Sequence, residues 1–457
     1  MKNSIWLKNK IKAFSDKLNE RPTLKLITIN SGWLIGDKLL KLFVGLFVST
    51  WIARYLGPAQ YGKLSYAIAF IAIFQTFSML GLDSIIVRDV ARDSVNANKI
   101  LGTALTLRLF ASLLGFVVAG LSISIINPGD VELFVLVLLL GIGIVFQAAD
   151  IVDLWFQSQS QSRRTVIAKF VSYGIAAIIK VGLIAFGAPL WMFAAALGAE
   201  TSLSAFALYI AYKKFPVNKE WASNIGVAKK MLKQSFPLLL SGMSIIVYMK
   251  SSQLIINELV DSASVGIYSS AQVLSELWYF LPMTIVASVA PVIARKKAES
   301  ELAYITALKN VFGLMWLASI LISVAIALSS ELLVTILFGD AYRKAASILS
   351  VHIFTLIPVC IGVTQSLWLV NENRSSLALY QSLAGAISSL GLNWILISKY
   401  GIIGGAVATV VSQFIQSFAV NILIAPALFR IQVESILTLA LKIWEVYLLI
   451  LKKAKIR

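Results

Sequence analysis

Apolar runs long enough to cross a bilayer recur along this whole chain, each followed by a short charged stretch. A run of about 20 such residues spans a hydrocarbon core of about 30 Å as a helix. Lipid offers the backbone no hydrogen bonds, so the runs must satisfy their own N–H and C=O groups, which helices do and loops do not. Of 457 residues, 58% are hydrophobic and 14% are charged. An ordinary soluble domain carries about 45–50% apolar and about 25% charged residues. The expected fold class is an all-α membrane protein.

Twelve spans are expected, near residues 31–54, 64–87, 101–126, 131–154, 165–187, 190–212, 233–257, 265–292, 308–330, 345–370, 377–398 and 402–428. A further apolar stretch, 435–451, is broken by Lys442 and Glu445 and reads as an interfacial helix. The first 30 residues are basic and polar and lack the small-residue cleavage site of a signal peptide, so the first span should act as an uncleaved anchor. Lys and Arg set the orientation. With the N-terminus in the cytoplasm, the cytoplasmic segments hold 30 of the 40 basic residues and the opposite face holds five, Arg54, Lys63, Arg343, Lys344 and Lys399. Both ends are therefore expected to be cytoplasmic. The net charge of +18 follows from topology and anionic lipid, and no nucleic-acid partner is expected. One cysteine, Cys360, excludes an internal disulfide, and one histidine, His352, leaves little for a metal site. No metal or cofactor is expected, and His352 and Cys360 read as packing residues.

The chain repeats itself weakly. Ala59-Gln-Tyr-Gly-Lys-Leu-Ser-Tyr-Ala67 matches Ala263-Ser-Val-Gly-Ile-Tyr-Ser-Ser-Ala271 at Ala, Gly, Ser and Ala, with an offset of 204. Ala91-Arg92 and Thr103-Ala104-Leu105 recur at 294–295 and 306–308. Six spans per repeat make the repeats parallel, related by an axis along the membrane normal, with substrate expected between them. The domains follow: a basic N-terminus 1–30, a first lobe 31–212, a basic linker 213–232, a second lobe 233–428 and a basic tail 429–457.

Charge at bilayer depth costs at least about 2.5–3.5 kcal/mol per group and needs a reason. Lys38, Lys41, Arg108, Lys180 and Lys250 are the cationic candidates for a water-filled cavity between the lobes, suited to an anionic substrate such as a diphosphate. Lys38, Lys41 and Arg108 also lie close enough to the cytoplasmic headgroups to snorkel. Asp37, Glu200 and Glu276 are candidates for ion coupling. Asp37 is placed to pair with Lys41, and Glu200 with Lys180 as structural glue. Asp83, Arg88, Asp89, Arg92 and Asp93 form an alternating cluster after the second span, and Asp83, Arg88 and Arg92 in it read as a cytoplasmic gate. Asp150 and Asp153, beside Arg163 and Arg164, read as a helix-end charge cluster with a possible place in the same gate. Gly32/Gly36 and Gly401/Gly405 are G-x-x-x-G pairs that permit close helix contact. No Walker A, nucleophile elbow, metal-spaced cluster or large loop supports an enzyme.

Trp51-Ile-Ala-Arg-Tyr-Leu-Gly-Pro-Ala-Gln-Tyr-Gly62 resembles the polysaccharide-export branch of the MATE-like (MOP) flippase superfamily. Leu80-Gly-Leu-Asp83 with Val87-Arg88, Asp153-Leu-Trp-Phe-Gln157 and Tyr400-Gly-Ile-Ile-Gly-Gly-Ala406 agree with it, and the likeness runs over about residues 25–428. Within that branch the chain is similar to the Wzx-type O-antigen and capsule repeat-unit translocases. The resemblance implies a MATE-like fold in a bacterial cytoplasmic membrane. It implies a flippase moving undecaprenyl-diphosphate-linked oligosaccharide from the cytoplasmic to the periplasmic leaflet. Membrane lipids, a polysaccharide polymerase and a chain-length regulator would be its partners. Two other branches compete. A cation-coupled multidrug exporter should have an acidic interior, whereas this one is basic by five charges to three; a peptidoglycan-precursor flippase tends toward fourteen helices.

Overall fold

The structure, a computed structural model, describes residues 22–215 and 220–439, the side chains of 22–35 and 37–39 excepted. The Asp37 and Lys38 side chains, residues 1–21, linker residues 216–219 and tail residues 440–457 lie outside the described residues. The first half comprises α1 (Pro22–Met79), α2 (Asp83–Arg92), α3 (Ala97–Ile126), α4 (Val131–Phe146), α5 (Ile151–Ser158), α6 (Ser162–Ala185) and α7 (Leu190–Lys213). A 3₁₀ turn, Gln147–Asp150, joins α4 to α5. The second half comprises α8 (Ile225–Leu259), α9 (Ser262–Glu276), α10 (Phe280–Glu299), α11 (Glu301–Leu328) and α12 (Ser330–Phe338). It continues with α13 (Ala345–His352), α14 (Leu356–Asn371), α15 (Leu377–Phe414) and α16 (Asn421–Ile424), then further helical backbone over 426–439. Side-chain caps begin several of these helices. Asp130, Asn224, Asp261 and Ser300 each accept a hydrogen bond from the backbone N–H three residues on, which satisfies an otherwise orphaned donor.

Ten helical segments among the described residues are long and apolar enough to cross a membrane, where the sequence suggested twelve separate ones. The difference arises at two glycines. Gly57 (φ 71°, ψ 171°) and Gly401 (φ 61°, ψ −144°) interrupt α1 and α15 in conformations that a Cβ disfavours. At Gly401 the chain doubles back: a Cβ on Gly404 would collide with the carbonyl of Leu396, whereas residues eight apart in a straight helix lie about 12 Å apart. In α1, Val48 and Ile52 line one cavity together with Leu64 and Tyr61, so its two limbs also lie side by side. Gly401 is thus a turn residue, and the expectation that it serves helix packing through Gly401/Gly405 is corrected. The final span is also shorter than expected, ending at Ile424. Pro426 forces the residue before it out of the helical region, and Ala425 has φ −145°.

The two halves cross where the repeat is clearest. A Cβ on Gly62 would collide with the Ser262 carbonyl, and one on Gly266 would collide with the Pro58 carbonyl. Pro58 and Ser262, like Gly62 and Gly266, are 204 positions apart. The contact is reciprocal, as a twofold relation requires. The same end of the bundle is tied by further contacts between the halves. Tyr342 donates to the Ala53 carbonyl at 2.8 Å, Arg54 donates to the Ile336 carbonyl at 2.5 Å, and Tyr66 donates to Glu258 at 3.3 Å. At the opposite, basic end, Arg88 donates to Gln234 at 2.7 Å and Gly81 lies against the backbone of Leu239.

Candidate functional site

The interior charges of the first half are held by partners. α6 and α7 form an antiparallel pair about the turn at Gly187, which brings Lys180 and Glu200 to 2.5 Å. Lys180 is only 5% exposed. The pair lines a cavity of about 260 Å³ with Gly45, Ser65 and Tyr173, all from helices of the first half. Tyr173 donates to the Lys41 carbonyl at 3.0 Å, fixing α1 against α6; the Lys41 side chain is itself engaged. Arg108, 2% exposed on α3, pairs with Asp83 at the start of α2. Its Nε and the Oε1 of Gln147 have no partner, and both residues line one small pocket. Asp150 and Asp153 each reach Lys169 at 2.8 Å. Their counter-charge is therefore Lys169, two turns into α6, where Arg163 and Arg164 had been expected.

The second half is arranged differently. Lys250 on α8 is half-buried and makes no hydrogen bond or ion pair among the described residues. Gln272 on α9 joins its surroundings to Glu276: its amide reaches the Met249 carbonyl at 3.3 Å and the Glu276 carboxylate at 2.6 Å. The next residue, Ser275, lies 2.6 Å from Nδ1 of His352, which is 1% exposed with its Nε2 unpartnered. The fold thus gathers Lys250, Glu276 and His352 around the α8–α9 contact without making an ion pair.

Sequence reading of full charges passed over a set of neutral groups beside Lys250. Ser251 lies 2.8 Å from Ser389. Ser252 donates to Asn393 at 2.8 Å and lies 2.8 Å from Thr409, which in turn meets Tyr268 at 3.0 Å. Nearer the basic end, Gln381 donates to Asn421 at 2.8 Å, and Asn421 donates to Gln365 and Gln432 at 3.1 and 3.3 Å. The signal was available. Ser382, Ser389 and Asn393 share one face of an apolar helix at i, i+7 and i+11, and polar groups on one stripe of a lipid-embedded helix seek partners on its neighbours.

The gate candidates sit at the basic end. Arg88 pairs with Asp89 at 2.7 Å and also bridges to Gln234 of the second half. Arg92 lines a cleft of about 490 Å³ with Asp89, Asp93 and, from the second half, Asn224 and Lys230.

Among solved structures, the chain is similar to an inward-facing multidrug resistance MATE transporter of the MOP superfamily (TM-score 0.68, 15% identity, 88% of this chain and 95% of that one). It is also similar to the lipid II flippase MurJ in an inward closed conformation (TM-score 0.66, 16% identity, 89% and 92%). An outward-facing MATE transporter gives a TM-score of 0.62 at 15% identity, over 92% of this chain and 97% of that one. At these identities the likeness shows the fold. None of the curated proteins compared matches the chain. A family model described as polysaccharide biosynthesis protein matches residues 27–297, more than half of the sequence. On the MATE- and MurJ-like fold established above, the chain therefore belongs to the polysaccharide biosynthesis protein family.

Proposed function

We propose that this protein is a flippase that carries undecaprenyl-diphosphate-linked oligosaccharide repeat units from the cytoplasmic to the periplasmic leaflet of a bacterial inner membrane. In this reading the chain crosses twelve times with both termini in the cytoplasm, counting two passes for each hairpin at Gly57 and Gly401. Two six-helix lobes, joined by the basic linker, rock against each other. The reading rests above all on Lys250, a half-buried cation at bilayer depth with no counter-charge in contact among the described residues. A buried cation is costly unless something neutralises it, and a diphosphate arriving from the cytoplasmic leaflet would do so. Family membership and the likeness to a lipid II flippase support a lipid-linked saccharide as cargo. The tight crossing at Gly62 and Gly266, at the end opposite most Lys and Arg, supports an arrangement closed toward the periplasm. Glu276, held by Gln272, is the group we assign to ion coupling; the charges of the first half, Lys180 with Glu200 and Arg108 with Asp83, serve as scaffold.

The test is replacement of Lys250 with membrane abundance and surface polysaccharide read in the same cells. Lys250→Ala should abolish surface glycan while the protein stays inserted and abundant. Arg should partly restore export, since it keeps cationic charge and bonds phosphate well, and Glu should be worse than Ala. Normal glycan in an abundant Lys250→Ala strain would overturn the reading. An exporter of organic cations would instead depend on Glu276 and tolerate loss of Lys250.

A further inference from the structure

In the first half, near the basic end, lies an apolar groove of about 620 Å³. Leu105 of α3, Ala148 and Ala149 of the 3₁₀ turn, and Ala205 and Tyr209 of α7 form its walls. The groove has a structural cause. The 3₁₀ turn at Gln147–Asp150 interrupts the α4–α5 rod, and the three alanines around it leave empty the space that larger side chains would fill. Such turns within a long helix often mark functional positions.

The roof comes from outside the helices. Trp221, in the segment joining the two halves, closes the groove and donates from its indole nitrogen to the Tyr212 hydroxyl at 2.8 Å. That segment is pinned beside it. Ala222 lies against Gly102, and the Asn224 N–H donates to Thr103 at 3.0 Å. Lys213 stands at the rim and Lys214 follows it, both exposed. Arg164 covers the ring of Phe215 at 4.8 Å on the same end.

We propose that this groove binds one acyl chain of an anionic phospholipid, whose headgroup meets Lys213 and Lys214 at the membrane surface. The volume lies within the range of about 300–1,000 Å³ that holds one drug-sized molecule, which suits a single chain and is too small for a long polyprenol. The basic rim selects an anionic headgroup, because the cytoplasmic leaflet concentrates anionic lipid at Lys and Arg near its surface. An indole with an apolar body and a polar N–H is the side chain suited to that boundary. Apart from Trp221 of the joining segment, the lining comes from the first half alone, so the site does not depend on what passes between the halves. A lipid held under Trp221 joins α3 and α7 to the linker and steadies the strand that couples the halves.

The full-length protein, purified into mixed micelles, supplies the test by native mass spectrometry with phosphatidylglycerol, phosphatidylcholine and undecaprenyl phosphate offered separately. Ala205→Trp should remove one retained phosphatidylglycerol, and Lys213→Gln with Lys214→Gln should abolish the preference for phosphatidylglycerol over phosphatidylcholine. Brominated phosphatidylglycerol chains should quench the parent more than Trp221→Phe, the difference being the Trp221 contribution. If Ala205→Trp elutes as aggregate, the smaller Ala149→Leu takes its place in the same comparison. An unchanged count of phosphatidylglycerol in a well-folded filled-groove variant overturns the proposal. So does a variant that loses undecaprenyl phosphate and keeps phosphatidylglycerol, since the groove would then hold the polyprenol.

Discussion

The two halves share a weak sequence repeat yet keep polar groups inside an apolar phase by different means. The first uses full charges in pairs, Lys180 with Glu200, Arg108 with Asp83, and Lys169 with Asp150 and Asp153. The second uses neutral hydroxyls and amides, Ser251, Ser252, Ser389, Asn393 and Thr409, and leaves Lys250 without a hydrogen-bond or ion-pair partner among the described residues. A buried ion pair is strongly destabilised by loss of either member, whereas hydrogen bonds between transmembrane helices average only about 0.6 kcal/mol. The first half is therefore a body with fixed internal geometry. The second is stitched by bonds weak enough to exchange.

The contrast is most exposed at Lys180. Lys180→Ala should cost about 3–5 kcal/mol by stranding Glu200, seen as a loss of membrane abundance and a lower unfolding midpoint. Replacing the pair together, Lys180→Met with Glu200→Leu, should restore both. A single variant as stable as the parent would break the comparison. Asn393 offers the matching test in the second half. It is fully buried and donates to Ser251 and to the Ser389 carbonyl at 3.1 and 2.9 Å. Asn393→Ala should cost about 1–3 kcal/mol, the desolvation of groups left unmatched. A cost above that of Lys180→Ala would reverse the ranking of the two strategies.

Lys250→Ala should not lower the unfolding midpoint, because it strands no partner and removes a cation whose burial is itself costly. A drop comparable to that of Lys180→Ala would mean that Lys250 is scaffold too. The smallest effect belongs to a charge outside the membrane. The Asp93 carboxylate accepts from the Asn96 side chain at 2.8 Å and from its backbone N–H at 3.1 Å, and these bonds hold its carboxyl below the usual range. A lowered value stabilises the fold above the unfolded value of about 3.9, and the gain is lost as pH falls through the lower folded value. The difference in unfolding midpoint between the parent and Asp93→Ala should therefore be present at neutral pH and vanish in acid. A difference that persists in acid would show that the contact is not electrostatic.

Much of the fold was legible because lipid removes options: long apolar runs have to be helices, and Lys and Arg between them mark one face. The breaks at both hairpins were legible too, since Arg54, Gly57-Pro58 and Lys63 interrupt one apolar run and Lys399 with Gly401 another; how tightly the two glycines fold the chain back was not. The end of the last span followed local rules that Pro426 could have supplied. Within the site, the pairing of Lys180 with Glu200 was readable as opposite charges on neighbouring spans. The counter-charge of Asp150 and Asp153 was not. Sequence proximity favours Arg163 and Arg164, but the helical path of α6 points Lys169 back at them. The neutral ladder went unread because serine and threonine are unremarkable singly and acquire meaning only when a second helix presents partners at the same height.

The crossing of Gly62 with Gly266 has a consequence for ancestry. Equivalent residues that meet on a twofold axis, each under the carbonyl of the other's partner, form the contact that two identical chains would make as a homodimer. The linker between Lys213 and Ile225 then holds in one molecule an interface that was already complete. On that view the two glycines were once a single codon, and each now constrains the other: a side chain gained at either site has no room unless the opposite backbone retreats.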